Sequence, residues 1–278
     1  MKVVILSDNR TSSPLYESEH GLSVYVEKDG YRLLFDTGAS DLFVRNAERL
    51  QVDLSWVDYL FISHGHIDHT GGLEHFVSIN QKAKIVLSKH AVNRQFYSLR
   101  RGKKAIGTII NLEKYQDRLL YVEDNPPLPD GILAKHIDVN QYPKPHANRT
   151  LFKMQDDELV HDDFQHEIVV AVGKDELFVY TGCAHHGLLN MLQTVTNHSS
   201  KPIHHVVGGF HLLDGDDYET PEEIRKITNA LKLHYPQTYF YTGHCTGDIA
   251  CNILKTEMPE QLQIFSAGFS EQNEVFRK

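Results

Sequence analysis

One stretch constrains this chain more than any other: Ser63-His64-Gly65-His66-Ile67-Asp68-His69-Thr70-Gly71-Gly72. Three histidines and one aspartate fall within six residues. The run before it, Val57 to Ile62, is apolar and aromatic and reads as a buried strand. The run after it, from Gly71 to Phe76, reads as a loop turning into a helix. The cluster therefore lies where a strand ends and a helix begins, the place where α/β folds carry their sites. His64 and His66, two apart in an extended loop, can face one metal, and Asp68 with His69 can face a second. Imidazoles and a carboxylate suit zinc, iron or manganese. Gly65 and the Gly71-Gly72 pair let the backbone bend closely around such ions. A histidine-rich turn in solvent is the plain alternative. It explains neither the buried strand before the cluster nor the glycines at its bends.

Other strand ends repeat the theme. Leu22–Glu27 and Tyr31–Phe35 alternate around Lys28-Asp29-Gly30, a hairpin signal, and the second run ends at Asp36-Thr37-Gly38. Ile168–Val172 and Leu177–Tyr180 read as a second hairpin, delivering Thr181-Gly182-Cys183-Ala184-His185-His186. Ile203–Val207 ends at Gly208-Gly209-Phe210-His211, and Thr238–Tyr241 at Gly243-His244. Helices are expected over 40–50, 73–80, 90–100, 188–197, 221–233 and 248–255. Thr220 caps the fifth of these and Pro221 occupies its first position. Asn125-Pro126-Pro127-Leu128-Pro129-Asp130-Gly131 is the strongest break. It reads as the crossover between two similar halves of one domain, about 1–125 and 130–278.

In order along the chain, Glu19-His20-Gly21, Leu34-Phe35-Asp36-Thr37-Gly38, the 63–72 stretch, Thr181-Gly182-Cys183-Ala184-His185, Gly208-Gly209-Phe210-His211-Leu212 and Thr242-Gly243-His244-Cys245-Thr246-Gly247 resemble the motifs of the metallo-β-lactamase superfamily. Within it they resemble the metal-dependent hydrolases related to the archaeal dihydropterin ribofuranosylaminobenzene phosphate synthase. The resemblance implies an α/β fold, a four-layer αββα sandwich of two packed mixed sheets with helices outside. It also implies two divalent ions, zinc first, with iron or manganese as alternatives.

A two-metal hydrolytic site needs about six or seven protein ligands with positions left for water and substrate. His64, His66, Asp68 and His69 supply four, and His244 is the fifth. His185 is the choice for the remaining ligand, with His166, at the start of the second hairpin, as its rival. Most superfamily members carry a bridging aspartate after Thr-Gly or Ser-Gly; here Cys183 stands there, either as a soft bridge or as a buried spectator. The resemblance gives Asp36 the task of orienting a ligand from below, against the alternative of a simple turn residue. Asp68 is expected to hold the attacking water as general base, and His211 to offset developing charge or hold substrate. His20 and Asn9 are candidates for the rim of the cleft.

Composition narrows the function. A net charge of −9 opposes non-specific binding to nucleic acid or to anionic membrane. No stretch is long enough to span a bilayer. The apolar run at the N-terminus is too short for a signal peptide, and three cysteines form no framework, so a reducing cytoplasm is expected. The one strong basic run, Arg100-Arg101-Gly102-Lys103-Lys104, reads as a solvated loop, or else as a lid that draws in an anion. The leading expectation is a metal-dependent hydrolase that activates water on a small anionic ester: a phosphoester or cyclic phosphodiester, with lactones and thioesters next. Two alternatives stand beside it: a pterin–ribosyl phosphate synthase-like transferase, and a non-catalytic metal-containing sensor of a small ligand.

Overall fold

The computed structural model describes residues 1–272. Strands β1 (Lys2–Ser7), β2 (Ser23–Lys28) and β3 (Tyr31–Phe35) lead to helix α1 (Leu42–Arg49). Then come β4 (Tyr59–Phe61), the single-turn α2 (Ile67–Thr70), α3 (Leu73–Ile79) and β5 (Lys84–Leu87). β6 (Phe96–Ser98) and β7 (Lys104–Ala105) precede β8 (Leu119–Tyr121) and β9 (Ile132–His136). Two hairpins follow, β10 (Leu151–Gln155) with β11 (Glu158–His161) and β12 (Ile168–Val172) with β13 (Leu177–Tyr180). The chain continues through α4 (Leu188–His198), β14 (Ile203–Gly208), α5 (Pro221–His234), β15 (Tyr239–Thr242) and α6 (Asp248–Glu257). It closes with β16 (Leu262–Ile264) and β17 (Ser270–Gln272).

These elements form two compact units. The first takes Met1–Arg94, Ile106–Pro127 and the stretch from Ser266 onward; the second takes Gln95–Ala105 and Leu128–Phe265. The 95–105 segment thus joins the second unit, and the C-terminal strand returns to the first.

In the first unit one seven-stranded sheet runs β17-β1-β2-β3-β4-β5-β8. The β1, β2 and β3 pairings are antiparallel, whereas β3, β4, β5 and β8 run parallel. The β2–β3 turn uses Asp29 and Gly30 at positive φ, the geometry a two-residue hairpin turn demands. The core gathers Leu34, Leu60 and Ile85 from the strands and Ile62 just after β4, with Phe43, Leu73 and Phe76 from the helices. All seven side chains are removed from water, each gaining about 1.5–3 kcal/mol from burial.

In the second unit a six-stranded sheet runs β16-β15-β14-β13-β12-β9 and repeats the pattern, a hairpin followed by parallel strands. β12 and β13 are buried along their whole length, as their continuous apolar sequences require. α5 opens with a capping box: Glu223 N–H donates to Thr220 Oγ1, and Thr220 N–H donates to Glu223 Oε2 at 2.8 Å.

Two readings of the sequence need correction. Residues 90–100 are not a helix. Asn93 takes a positive φ and its Oδ1 accepts from Ile110 N–H at 2.9 Å, which bends the chain and lets β6 form. The basic run is exposed throughout, as the solvated-loop reading expects. It is the turn between β6 and β7, where Lys103 lies over the Tyr97 ring at 4.5 Å and Arg100 over the Tyr218 ring at 6.0 Å. Finally, a small sheet β11-β10-β6-β7 and the edge strand β17 had no counterpart in the sequence reading. Among the described residues, no helix is long and apolar enough to cross a membrane.

Candidate functional site

Each unit presents its own set of donor side chains at the C-terminal ends of parallel strands. In the first unit, β3 ends at Asp36, which is fully buried and sits at φ 56°. Its Oδ1 accepts from Ser63 N–H at 2.7 Å. Its Oδ2 accepts from the Ser63 hydroxyl at 2.6 Å and faces His69 Nδ1 at 2.6 Å. An ionised carboxylate only accepts, so His69 carries its proton on Nδ1. The Ser63 proton is committed to Asp36, so at the 2.9 Å contact with His64 the serine oxygen accepts from His64 Nδ1. Asp36 thereby sets the tautomer of two histidines, one directly and one through Ser63. In both rings Nε2 is left as the lone-pair atom, the form a metal takes.

The loop beyond is shaped to match. His66 precedes α2, and the Thr70 hydroxyl donates back to His66 O at 2.9 Å. The His64 ring centroid lies 4.7 Å from that of His66 and 4.1 Å from that of His69. Ligand-type atoms of Asp36, His64 and His69 lie within 4.8 Å of one another. Asp68 projects its carboxylate with 14% of the side chain exposed; Oδ2 is 3.7 Å from His69 Nε2 and 3.4 Å from His20 Nε2. Its backbone carbonyl accepts from Leu22 N–H at 3.0 Å, so the loop is anchored independently of the carboxylate. Gly72 must be glycine: a Cβ there would lie 2.2 Å from Thr37 O and 2.5 Å from Ser40 O. Asn9 is half-buried in the bend after β1.

In the second unit, β13, β14 and β15 end side by side. The turn after β13 places Gly182 and Ala184 at positive φ, and Gly209 N–H donates to Gly182 O at 2.7 Å. His211 and His244 also take positive φ, near 50°. Side chains with a Cβ rarely hold this conformation unless the surroundings over-determine it, and such residues cluster at functional sites. A Cβ on Gly209 would meet Cys245 Sγ at 2.3 Å, so close approach of these loops requires the glycine. Ligand-type atoms of Cys183, His211 and Cys245 lie within 4.8 Å of one another, all three residues being buried. Burial alone would raise the Cys245 thiol, yet hydrogen bonds with Cys183 and His211, and the nearby His244 imidazole, hold it well below the usual thiol range.

His185 is oriented from three sides. Asn148 Oδ1 accepts from its Nδ1 at 3.0 Å, and Asn148 Nδ2 donates to its carbonyl at 2.7 Å. Phe164 stacks on the ring at 4.4 Å between centroids. The buried Glu167 accepts from His185 N–H at 2.7 Å, from His186 N–H at 2.9 Å and from His186 Nδ1 at 2.7 Å. His185 thus stands in the ligand tautomer, with its ring centroid 4.3 Å from that of His211. His186 serves the turn through Glu167. His166 is bound through Nε2 to Asp162 Oδ2 at 2.9 Å and packs against Phe96. Sequence reasoning overlooked Ser63, Asn148 and Glu167 as orienting groups. Only Glu167 left a signal, an acidic residue directly before a fully apolar strand.

Residues 18–195 match a family model described as the metallo-beta-lactamase superfamily. The chain is 29% identical over 274 residues to the 7,8-dihydropterin-6-methyl-4-(beta-D-ribofuranosyl)-aminobenzene-5'-phosphate synthase of Methanocaldococcus jannaschii, covering 92% of this chain and 90% of that one. It is similar in structure to Tm1679, a metal-dependent hydrolase of the beta-lactamase superfamily, with TM-score 0.80, 30% identity and 98% of both chains covered. It also matches the metallo-beta-lactamase fold protein YhfI of Bacillus subtilis, with TM-score 0.57 and 12% identity over 97% of this chain and 98% of that one, a likeness of fold alone.

Proposed function

The chain belongs to the metallo-beta-lactamase superfamily, and on that footing we propose that it is a metal-dependent hydrolase of a small anionic ester. Phosphoesters and cyclic phosphodiesters come first, lactones and thioesters next. The observation that carries the reading is the relay from Asp36 to His69 and, through Ser63, to His64. A buried carboxylate that fixes two imidazoles in the tautomer with Nε2 deprotonated is the outer support that metal-ligating histidines need. His185, fixed in the same sense by Asn148, carries the pattern into the second unit.

The residues present fit divalent ions. In our proposal His64, His66, Asp68, His69, His185 and His244 hold two of them, zinc first, with iron or manganese as alternatives, and Cys183 supplies a soft donor. When bound, such ions lower the pKa of water and polarise the ester. The protein supplies the rest. Asp68, partly open to solvent, holds the attacking water and takes its proton. His211 faces the charge that develops on the substrate. His20, beside Asp68, sits at the rim with Asn9. Neither nucleic acid nor membrane is the proposed partner, in keeping with the net charge of −9.

A second reading has its own support. The archaeal relative named above is a synthase of a pterin-bearing ribosyl phosphate and covers 92% of this chain. On that reading the same donors serve condensation of a pterin with a ribosyl phosphate. The two readings part in one experiment. Protein loaded with zinc is offered a panel of phosphoesters, cyclic phosphodiesters, lactones and thioesters, and separately a pterin with a ribosyl phosphate. Release of acid from an ester, abolished in Asp68→Ala, supports the hydrolase. A new pterin conjugate without ester cleavage supports the synthase. A zinc-loaded protein that does neither but binds a small anion is the sensor.

A further inference from the structure

Cys245 has no part in the function proposed above, yet three loops of the second unit converge on its sulfur. The loop after β14 is tied to the loop after β15 at two places. Phe210 N–H donates to Thr246 Oγ1 at 2.9 Å, and Gly247 N–H donates to Leu212 O at 2.7 Å. These bonds bracket His211 on one loop and lie just after Cys245 on the other. The loop after β13 joins them, since Gly209 N–H donates to Gly182 O at 2.7 Å and Cys245 Sγ approaches Cys183 O at 3.7 Å. The sulfur occupies the space that a Cβ on Gly209 would need. Bonds between the loops thus fix Cys183, His211 and Cys245 relative to one another. All three side chains are buried, and their ligand-type atoms lie within 4.8 Å of one another. Both nitrogens of the His211 ring are buried, and neither meets a nitrogen or oxygen partner among the described residues. The ring has the two sulfurs within reach instead. Bonds of about 2.0–2.3 Å to nitrogen and sulfur set the donors of one ion about 3.5–4 Å apart, so the spacing suits a single ion held by all three.

We propose that Cys183, His211 and Cys245 form a binding site for one monovalent copper ion. Two sulfurs and an imidazole make a soft donor set, and thiolates select monovalent copper. Zinc also takes thiolates, but a closed zinc site uses four protein donors, whereas monovalent copper is satisfied by three. The set contains no carboxylate, which disfavours manganese, magnesium and calcium. The site does not depend on the reaction proposed above, but it bears on it. Copper there takes Cys183 and His211 away from the roles given to them, so copper binding and that reaction exclude each other. The third cysteine, Cys251, is buried as well; its Sγ donates to Thr246 O at 3.6 Å, and it serves as the control.

The test titrates monovalent copper, without oxygen, into the full-length zinc-loaded protein in competition with bicinchoninate. The expected result is one copper per chain, with X-ray absorption showing two sulfur neighbours and one nitrogen neighbour at the copper. Cys245→Ser should weaken copper binding by about 100-fold or more, because a direct donor matters at least as much as the outer partners that orient one. Its zinc content should equal the parent's, since Cys245 is not a zinc donor in the function proposed above. Cys251→Ser should change neither quantity. Every readout is binding, so a failure of the hydrolase reading leaves the result readable. If Cys245→Ser does not melt cooperatively, the sulfur count at copper in the parent decides. No saturable copper binding, copper held by nitrogen and oxygen alone, undiminished binding in a folded Cys245→Ser, or an equal loss in Cys251→Ser would overturn the proposal.

Discussion

Asp36 Oδ2 lies 2.6 Å from His69 Nδ1, and both side chains are wholly out of water. The same carboxylate holds Ser63 through its amide and its hydroxyl, and so reaches His64. One residue at the end of β3 therefore governs two candidate ligands on the loop after β4. Asp36→Asn should keep the fold, because asparagine tolerates the left-handed backbone and still accepts from Ser63 N–H. It loses the acceptor that His69 needs. We expect metal affinity to fall by about 10–100-fold, read by competition with a chromophoric chelator. Asp36→Ala should in addition lose about 1–3 kcal/mol of stability, because the buried Ser63 N–H is left without its acceptor. Unchanged affinity in both variants would remove the relay from the account.

Gly72→Ala tests the shape of the loop. The added methyl would stand 2.2 Å from the Thr37 carbonyl and 2.5 Å from that of Ser40, both backbone atoms that cannot step aside. A destabilisation of about 1–3 kcal/mol is expected in chemical denaturation, with reduced metal content. A variant as stable as the parent would mean that the 71–72 backbone is free to shift.

In our proposal Cys183 is a soft donor at the metals, standing where the sequence resemblance places a bridging carboxylate. A thiolate prefers softer ions than a carboxylate does. Cys183→Asp should move the preference from zinc towards manganese, and Cys183→Ser should lower metal retention during dialysis against a weak chelator. If both variants match the parent in metal content and preference, Cys183 is a buried spectator.

Acid stability has a separate origin, on the surface of α1. The Arg45 guanidinium first, and Arg49 with it, hold the Glu17 carboxyl at about 2 instead of the ordinary 4.5. A carboxyl with a depressed pKa stabilises the fold fully above its ordinary value and loses that contribution as the pH falls towards the depressed one. The gap in melting temperature between parent and Glu17→Gln should therefore be present at neutral pH and close between about pH 4.5 and about pH 2. The pairs are exposed, so the gap should also shrink in high salt. A gap that widens on acidification would contradict the assignment.

Much of this was legible in the residue pattern. The H-x-H-x-D-H run, the hairpins and the strand-end histidines carried the fold and the candidate ligands, because buried strands leave continuous apolar runs and ligand residues are few in kind. What the pattern hid was connection across distance. Nothing adjacent to Ser63 or Asn148 marks them as the partners of His64 and His185; the partnership exists only once strands from distant segments lie side by side. His166 and His185 were rivals in sequence; in the structure Asp162 is the partner of one and Asn148 of the other. The β10–β11 hairpin was readable in principle, since Asp156 and Asp157 both take the positive φ of a tight turn between alternating strands. β17 was not: Ser270-Glu271-Gln272 has no apolar face, and it is a strand because β1 offers it an edge.

The central claim is that hydrolysis needs divalent ions and Asp68. The most direct measurement is ester turnover by metal-stripped protein titrated with zinc, run in parallel on the parent and on Asp68→Ala. The account predicts no turnover before zinc and a rise that saturates near two equivalents in the parent. In Asp68→Ala it predicts a loss of about 10²–10⁴-fold, with the fold retained because Leu22 bonds the Asp68 backbone and not its carboxylate. Turnover that is equal with and without metal, or undiminished in Asp68→Ala, would contradict it.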